Sequence, residues 1–552
     1  MMRICVCTLL AALLSLAALG QSTETTMKFE VADVHASPHY SFVAARGPFF
    51  STSRYELRDA SVVDLIHIAY DVDPEKISGG PSWVEMDRFD IFAKTSDASN
   101  AESRRRMLQA LLADRFKLVT HNDSRPMPAW ALTAGKHGGL KESDSSDESG
   151  CKFEFKNAPT GPPAPGTPIT LPTIVYSCKN TSMATLAANM LNIPAAGGYF
   201  NNRLVVDHTG LDAKYDFSFG FTPKVPAAIK TVGESVPIFD AIEKLGLKLE
   251  MANVPMPVIV LDSVSRTPTP NSETAMKSFP PLPTEFEVAS LKPVDTSASG
   301  GRGNPAQPTV KNGRLHLPDF TLKTLIQIAW DINGDEFLID APKWLDDDHY
   351  EILAKAPAEV AMGDLTPSRN VVPVNIDALR PMIRALLAER FQIKAHMEER
   401  PLNAYNLLAK TPKMKKADPA ARTKWQEGVQ PDSKPGKNAN TALGRLVTCQ
   451  NVTMAQFAEM LPNIAPGYLR THVKDMTGLE GGYDFTFSFS PIGLLQQIRP
   501  QNSEGGSEAS DPTMSMSLFD AMEKQLGLKL EMQKRPTPVL VIEKIERKPL
   551  EN

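Results

Sequence analysis

Cysteine is scarce in this chain: there are five in 552 residues, and two of them, Cys5 and Cys7, fall within the first seven positions. The three later cysteines and the ten histidines do not supply the three or four clustered ligands that a zinc site needs, so no metal is expected. Charge of one sign is also lacking. A formal net charge of −5 excludes the basic face of a general nucleic-acid binder and supplies no strong field for steering a substrate. There is no Gly-x-Ser-x-Gly elbow and no phosphate-cradling glycine loop, so no catalytic residue and no cofactor is assigned. After residue 20 no run is apolar and long enough to cross a bilayer.

The first twenty residues differ. Arg3 precedes an apolar run from Ile4 to Leu19 that ends on Ala18-Leu19-Gly20, small residues of the kind a signal peptidase reads. Residues 1–20 are expected to be a signal peptide cut before Gln21, and the protein to be exported, periplasmic or extracellular, with no membrane span after cleavage. An uncleaved anchor is the rival, but the run is short for the ~20 residues of a span. In an oxidising compartment a Cys151–Cys178 disulfide is expected, closing the proline-rich excursion APTGPPAPGTP; three unpaired thiols is the alternative. Cys449 matches Cys178 but has no counterpart of Cys151, and reads as a small buried residue.

What the chain has in abundance is repetition. RRMLQALLADRFKLVTH (105–121) returns as RPMIRALLAERFQIKAH (380–396), and VVDLIHIAYD (62–71) as LKTLIQIAWD (322–331). Pro81 and Trp83 match Pro342 and Trp344. DHTGLDAKYDFSF (207–219) matches DMTGLEGGYDFTF (475–487), and FDAIEKLGLKLEM (239–251) matches FDAMEKQLGLKLEM (519–532) with one residue inserted. The order never changes, so the chain is a tandem duplication. Copy 1 spans 27–264 with an irregular insertion at 137–177. A Pro-rich linker covers 265–284, and copy 2 spans 285–546 with irregular insertions at 411–447 and 495–515. The first insertion carries an acidic run from Glu142 to Glu148. The second is lysine-rich, and the two are expected to be solvated loops rather than mutual partners.

Within each copy the periodicity predicts two similar halves. Val62–Tyr70 reads as a helix, with Leu65, Ile66, Ala69 and Tyr70 at helical spacing, and so does Glu102–Ala113, with Met107, Leu108, Leu111 and Leu112 on one face. Phe29–Val34, Phe89–Ala93, Phe116–Thr120 and Trp130–Thr133 read as strands. In the second half Met183–Met190 and Ile238–Leu245 read as helices, with Gly246 capping at positive φ. Leu204–Asp207, Tyr215–Phe221, Leu247–Met251 and Val258–Leu261 read as strands. The fold class is therefore α+β: two tandem copies, each of two β-α-β-β-α-β-β units with antiparallel sheets and helices packed on one face.

FEVASLKP, a helix ending in IAYD or IAWD, the GGPSW turn, LLADRF, DHTGL-x-x-x-YDF and the closing LGLKLE together resemble the "soil-associated" bacterial protein family. The resemblance covers nearly all the chain after residue 20, twice over. It implies an exported α+β domain of unknown function, attached in some relatives to membrane-bound sensor-peptidase proteins, and it carries no catalytic positions. At the level of fold, each half is also similar to the short N-terminal domain of secretins and TonB-linked receptors, which implies protein–protein contact in the envelope.

Residues kept in both copies are the candidate binding residues: Trp83 and Trp344, Arg115 and Arg390, His121 and His396, Asp207 and Asp475. The tryptophans read as packing over a turn or stacking on a sugar. The arginines complement a helix dipole or grip a carboxylate of a neighbouring unit. The histidines read as hydrogen-bonded edge residues or, if two carboxylates converge on each in a cleft, as part of an active site. The aspartates read as turn-formers. The matched sequons Asn180-Thr181-Ser182 and Asn451-Val452-Thr453 read as a coincidence of the repeat. A non-enzymatic, extracytoplasmic binding or interaction module is expected, with an unknown envelope protein or extracellular ligand as partner. A hydrolase of envelope or extracellular polymer and a structural spacer are the alternatives.

Overall fold

The computed structural model describes residues 27–37, 45–51, 54–95, 100–135, 140–144, 149–157, 169–200, 203–224, 231–232, 235–273, 275–279, 281–294, 309–311, 313–332, 334–360, 362–363, 375–427, 445–492 and 516–550. The expected signal peptide and the insertion at 495–515 lie outside them.

Copy 1 runs β1 Val31–Ala36, β2 Arg46–Phe50, β3 Arg54–Ser61, α1 Val62–Tyr70, β4 Ile77–Gly79, β5 Arg88–Lys94, α2 Ala101–Arg115, β6 Val119–Ala134, β7 Lys141–Glu142, β8 Gly150–Lys156, β9 Ile169–Thr170, β10 Thr173–Ser182, α3 Met183–Asn189, α4 Gly197–Phe200, β11 Val205–Asp207, β12 Lys214–Phe221, β13 Thr231–Val232, α5 Ile238–Glu243 and β14 Leu247–Ser263. Copy 2 follows with β15 Val288–Pro293, β16 Thr309–Lys311, β17 Arg314–Thr321, α6 Leu322–Trp330, β18 Leu338–Ile339, β19 His349–Lys355, β20 Met362–Gly363, α7 Ile376–Phe391, β21 Lys394–Ala409, β22 Lys415–Lys416, β23 Lys424–Glu427, β24 Arg445–Thr453, α8 Met454–Ile464, β25 Val473–Asp475, β26 Gly482–Phe489, α9 Leu518–Ala521, a π turn at Met522–Leu526 and β27 Leu528–Lys544. The fold is α+β in two repeats.

Local chemistry sets the helix boundaries. Ser61 and Asp64 form a reciprocal capping box at the start of α1 (3.0 and 2.9 Å), and Asp71 closes it at φ 54°. At α6 Thr321 accepts the Thr324 N–H at 3.1 Å, and Asp331 closes the helix at φ 57°. Leu65, Ile66 and Ala69 are buried on one face of α1, and Leu108 and Leu112 of α2 meet them over the antiparallel sheet β1-β5-β3-β2. The second half packs Met183 and Leu186 of α3 and Ile242 of α5 against the sheet β7-β12-β10-β8.

The strands expected to close each half are not separate. Of the expected strand Phe116–Thr120 only Val119 and Thr120 are in a strand, because Phe116 caps the end of α2; they and Trp130–Thr133 belong to one strand, β6. Leu247–Met251 and Val258–Leu261 likewise belong to β14, and the two strands pair antiparallel along their whole length. Each long strand starts in its own half and ends in the other. Trp130 and Leu132 of β6 pack in the second-half core, whereas Ile259 and Leu261 of β14 pack in the first. The short strand β4 lies parallel to the far end of β14, and β11 parallel to the far end of β6. Between those ends the ribbon has only two strands, and there Pro126 stands opposite Pro255. A residue without an N–H is tolerated where no third strand needs it. Copy 2 repeats the arrangement with β21, β27, β18 and β25, and with Pro401 opposite Pro536.

Two stretches expected to be irregular contain strands. The 137–177 insertion supplies β7, β8 and the start of β10, and the 411–447 insertion supplies β22, β23 and the start of β24. The copies are docked against each other. Glu56 is fully buried between Arg54 and Arg58 (3.0 Å to Arg58), and Asn375 of copy 2 reaches it at 3.3 Å. Asp377, in the first turn of α7, pairs with Arg46 of copy 1, and β20 adds to the edge of β2.

Candidate functional site

The tryptophans sit in matching 3-10 turns, and each lies under an arginine from the segment that leaves its copy's last strand. The Arg266 guanidinium is 6.0 Å from the Trp83 ring, and that of Arg547 is 5.7 Å from Trp344. Arg266 forks onto Asp87 at 2.6 and 3.1 Å, and Arg547 onto Asp348 at 2.8 and 3.1 Å. The Arg547 hydrogen bond holds the Asp348 carboxyl below the usual carboxylate range. This is a clip for the outgoing chain.

Arg115 and Arg390 serve the same outgoing segment. Their carbonyls accept the N–H groups of Thr269 and Leu550, each at 2.8 Å. The Arg115 side chain donates to Asn271 Oδ1. Asn271 in turn bonds both backbone groups of Val34 at 3.0 Å and donates to Asp33 at 2.6 Å, so the linker's first residues cover the edge of β1.

His121 and His396 occupy matching exposed positions on the long ribbons. His121 Nδ1 lies 2.9 Å from both oxygens of Asp262, and His396 Nδ1 lies 2.7 Å from Glu543. Two residues further on, Asp123 pairs with Arg125 and Glu398 with Arg400. The Arg125 hydrogen bond holds Asp123 below its ordinary range. Each histidine thus has carboxylates nearby, but on an open sheet face and not in a cleft. Among the described residues no group of three or more His, Cys, Asp and Glu is placed to hold a metal ion.

Asp207 and Asp475 are turn-formers. Each accepts the N–H two residues on (Thr209, Thr477) at 2.9 Å. Asp216 and Asp484 hold a β-bulge, accepting the N–H of Asn180 (2.7 Å) and Asn451 (2.9 Å). Those asparagines stand at φ 47° and 50°, a left-handed conformation in which asparagine is enriched. Cys151 faces Cys178 across β8 and β10 and is bonded to it. In copy 2 Trp425 takes the place of Cys151 opposite Cys449, whose thiol burial pushes up to about 12.

Features held by one copy only escape any search based on recurrence. Copy 2 has a polar hollow of about 540 Å³ between its halves, lined in part by Gln327, Asp335, Glu459, Arg470 and His472. Burial raises the Glu459 carboxyl, and Arg470 pairs with Glu336 at 3.2 Å. Copy 1 has His67 and Ala188 at the places of Gln327 and Glu459. Asp33, Ser37 and Asp90 are buried polar residues of copy 1 linked to the half-exposed His35, with Ser37 donating to Asp90 at 2.6 Å and Asp33 bonding His35 at 2.6 Å. The alternation Asp33, His35, Ser37 was their sequence signal.

The two copies also differ at the outer strand of the second-half sheet. In copy 2 that strand, β23, is bonded on one side to β24, and the residues leading into it meet copy 1. Thr423 donates to Ser82 O (3.1 Å), Arg422 donates to Ile77 O (2.7 Å) and pairs with Glu85 (2.8 Å), and Met86 packs on the copy 2 core. The lysine-rich insertion thus reaches copy 1 through Lys424 and Glu85 (3.6 Å). In copy 1 the corresponding strand, β8, is likewise an outer strand, bonded among the described residues on one side, to β10. Its Phe153 and Phe155 are 50 % and 53 % exposed, with their rings edge-on at 5.8 Å.

A family model described as a protein of unknown function (DUF3738) matches residues 63–264 and again 323–545. The chain belongs to this family. Each DUF3738 match begins in the first turn of α1 or α6 and ends at the close of the long ribbon, so the strands before each helix lie outside it. No curated protein and no solved structure matches the chain.

Proposed function

We propose that this DUF3738 protein is an exported binding module that makes protein–protein contacts through the outer strand of its second-half sheet. One observation carries the reading: the strand beside which copy 2 docks on copy 1 has a counterpart in copy 1, β8, that among the described residues is bonded on one side and carries two half-exposed phenylalanines. Unpaired backbone groups beside apolar side chains are the requirements for strand addition. The recurring Trp, Arg and Asp residues are engaged in internal clips and turns, which leaves them no free chemistry to offer. Export rests on the apolar segment at 4–19 and the small residues that follow it.

A hydrolase is the second reading, favoured by the His–carboxylate pairs at His121 and His396. Their open setting supplies neither water exclusion nor a substrate cleft, and so supports binding better. The test is capture from envelope extracts by the wild-type protein and by a Phe153→Lys/Phe155→Lys variant, with N-terminal sequencing of the bait. Saturable retention of one protein, lost in the variant, with the bait starting at Gln21, is the expected result. Equal retention by both overturns the assignment to β8.

A further inference from the structure

We infer that β8 pairs with β8 of a second copy of this chain, giving a two-fold dimer in which the two second-half sheets become one. The inference rests on the proposed contact role of β8 and names its partner. Lysines on an outer strand ordinarily discourage edge pairing. Here Lys152 and Lys156 flank Glu154, and the strand reads Gly-Cys-Lys-Phe-Glu-Phe-Lys. Phe153 and Phe155 share the face of Tyr176 and Ile174, their partners on β10, while Lys152, Glu154 and Lys156 share the other face.

Charge and strand length together select one register: a pair centred on Phe155 also sets Glu154 against Lys156, but only three residues of each β8 then face each other. An antiparallel pair centred on Glu154 sets Glu154 against itself and Lys152 against Lys156, which is unfavourable. An antiparallel pair centred on Phe153 sets Lys152 against Glu154 twice, related by the two-fold axis. It also sets Phe153 against its own copy and Phe155 against the Cys151–Cys178 disulfide. Phe153 is the middle residue of β8, so this register uses all seven residues of the strand. It fits the closed symmetry usual for soluble homodimers. In copy 2 the equivalent strand carries Lys424, Trp425, Gln426 and Glu427, and the first three face Asp64, Glu85 and Arg88 of copy 1 across a hollow of about 170 Å³. Copy 1 thus stands beside β23, so that among the described residues β8 is the edge of these two strands left for pairing, and a two-fold contact there closes at the dimer.

Sedimentation equilibrium of the purified protein tests this. We expect a monomer–dimer equilibrium with a dissociation constant on the order of 10 μM, the weak end for a single strand pair. Glu154→Lys sets lysine against lysine and Lys152→Glu sets glutamate against glutamate, so each weakens the dimer at least tenfold. The double variant restores the pairing, which a merely misfolded protein cannot do. A monomer at all concentrations, or a dimer indifferent to both single reversals, overturns the inference. If the protein is monomeric yet Glu154→Lys abolishes capture of an envelope protein, self-pairing fails and the contact role of β8 stands.

Discussion

Single residues in this protein are explained mostly by the backbone conformation they permit. Asn180 and Asn451 recur because a bulge in β10 and in β24 needs a residue at positive φ whose N–H can reach the aspartate on the facing strand. The Asn-x-Ser/Thr pattern is a by-product: the following Thr181 is fully buried, and Ser182 and Thr453 cap α3 and α8. Asn180→Ala should therefore destabilise copy 1 by about 1 kcal/mol, whereas Asn180→Gly should be close to neutral. Urea unfolding of the two variants checks this; equal losses would show that the side chain matters and not the conformation. Recurrence in the sequence found Trp83, Arg115 and His121 but not their roles. Their partners, Arg266, Asn271 and Asp262, lie more than a hundred positions away, and no local spacing encodes a clip of that reach.

At the scale of elements, helices were legible and strands less so. The 3.6-residue spacing of Leu65, Ile66 and Ala69 placed α1 to the residue, because a one-sided helix writes its buried face into the sequence. The long ribbons were read as fragments, since prolines and charged residues fill the middle stretch where no third strand needs bonding and both faces are wet. β8 was missed for a related reason: an outer strand buries little, so its Phe-Glu-Phe alternation sits among acidic and proline-rich neighbours. The inserted residue of copy 2 was visible, but not its accommodation. It turns the end of the last helix into a π turn, a common fate of single insertions. Gln525 within that turn accepts from Ser488 N–H at 3.0 Å and donates to Ser488 O at 2.8 Å, fastening the helix end to β26. Deleting Gln525 should restore the geometry of copy 1 and leave the fold intact, at a loss of about 1–3 kcal/mol for two hydrogen bonds. A chain that fails to fold would contradict this.

For the molecule as a whole, the notable fact is that the linker does not hold the copies apart. Glu56 with Arg54, Arg58 and Asn375, and Arg46 with Asp377, make a charged seam from which water is largely excluded. Removing Glu56 takes from Arg54 and Arg58 the buried carboxylate between them, at a cost of about 3–5 kcal/mol. Glu56→Ala is therefore expected to split one calorimetric transition into two, one for each copy. A single transition shifted to lower temperature would place the coupling elsewhere, at Arg422 and Glu85. Neither interface was legible in the sequence, because each depends on residues held by one copy only.

The exchange of strand ends between the halves has a further consequence for how the chain is made. β6 cannot find β14, nor β21 find β27, until over a hundred further residues have been synthesised, and such distant pairing is slow. No half has a finished core before its copy's final strand arrives. If the chain is exported as proposed, each copy would thus remain translocation-competent and commit to its native state only after its final strand has crossed.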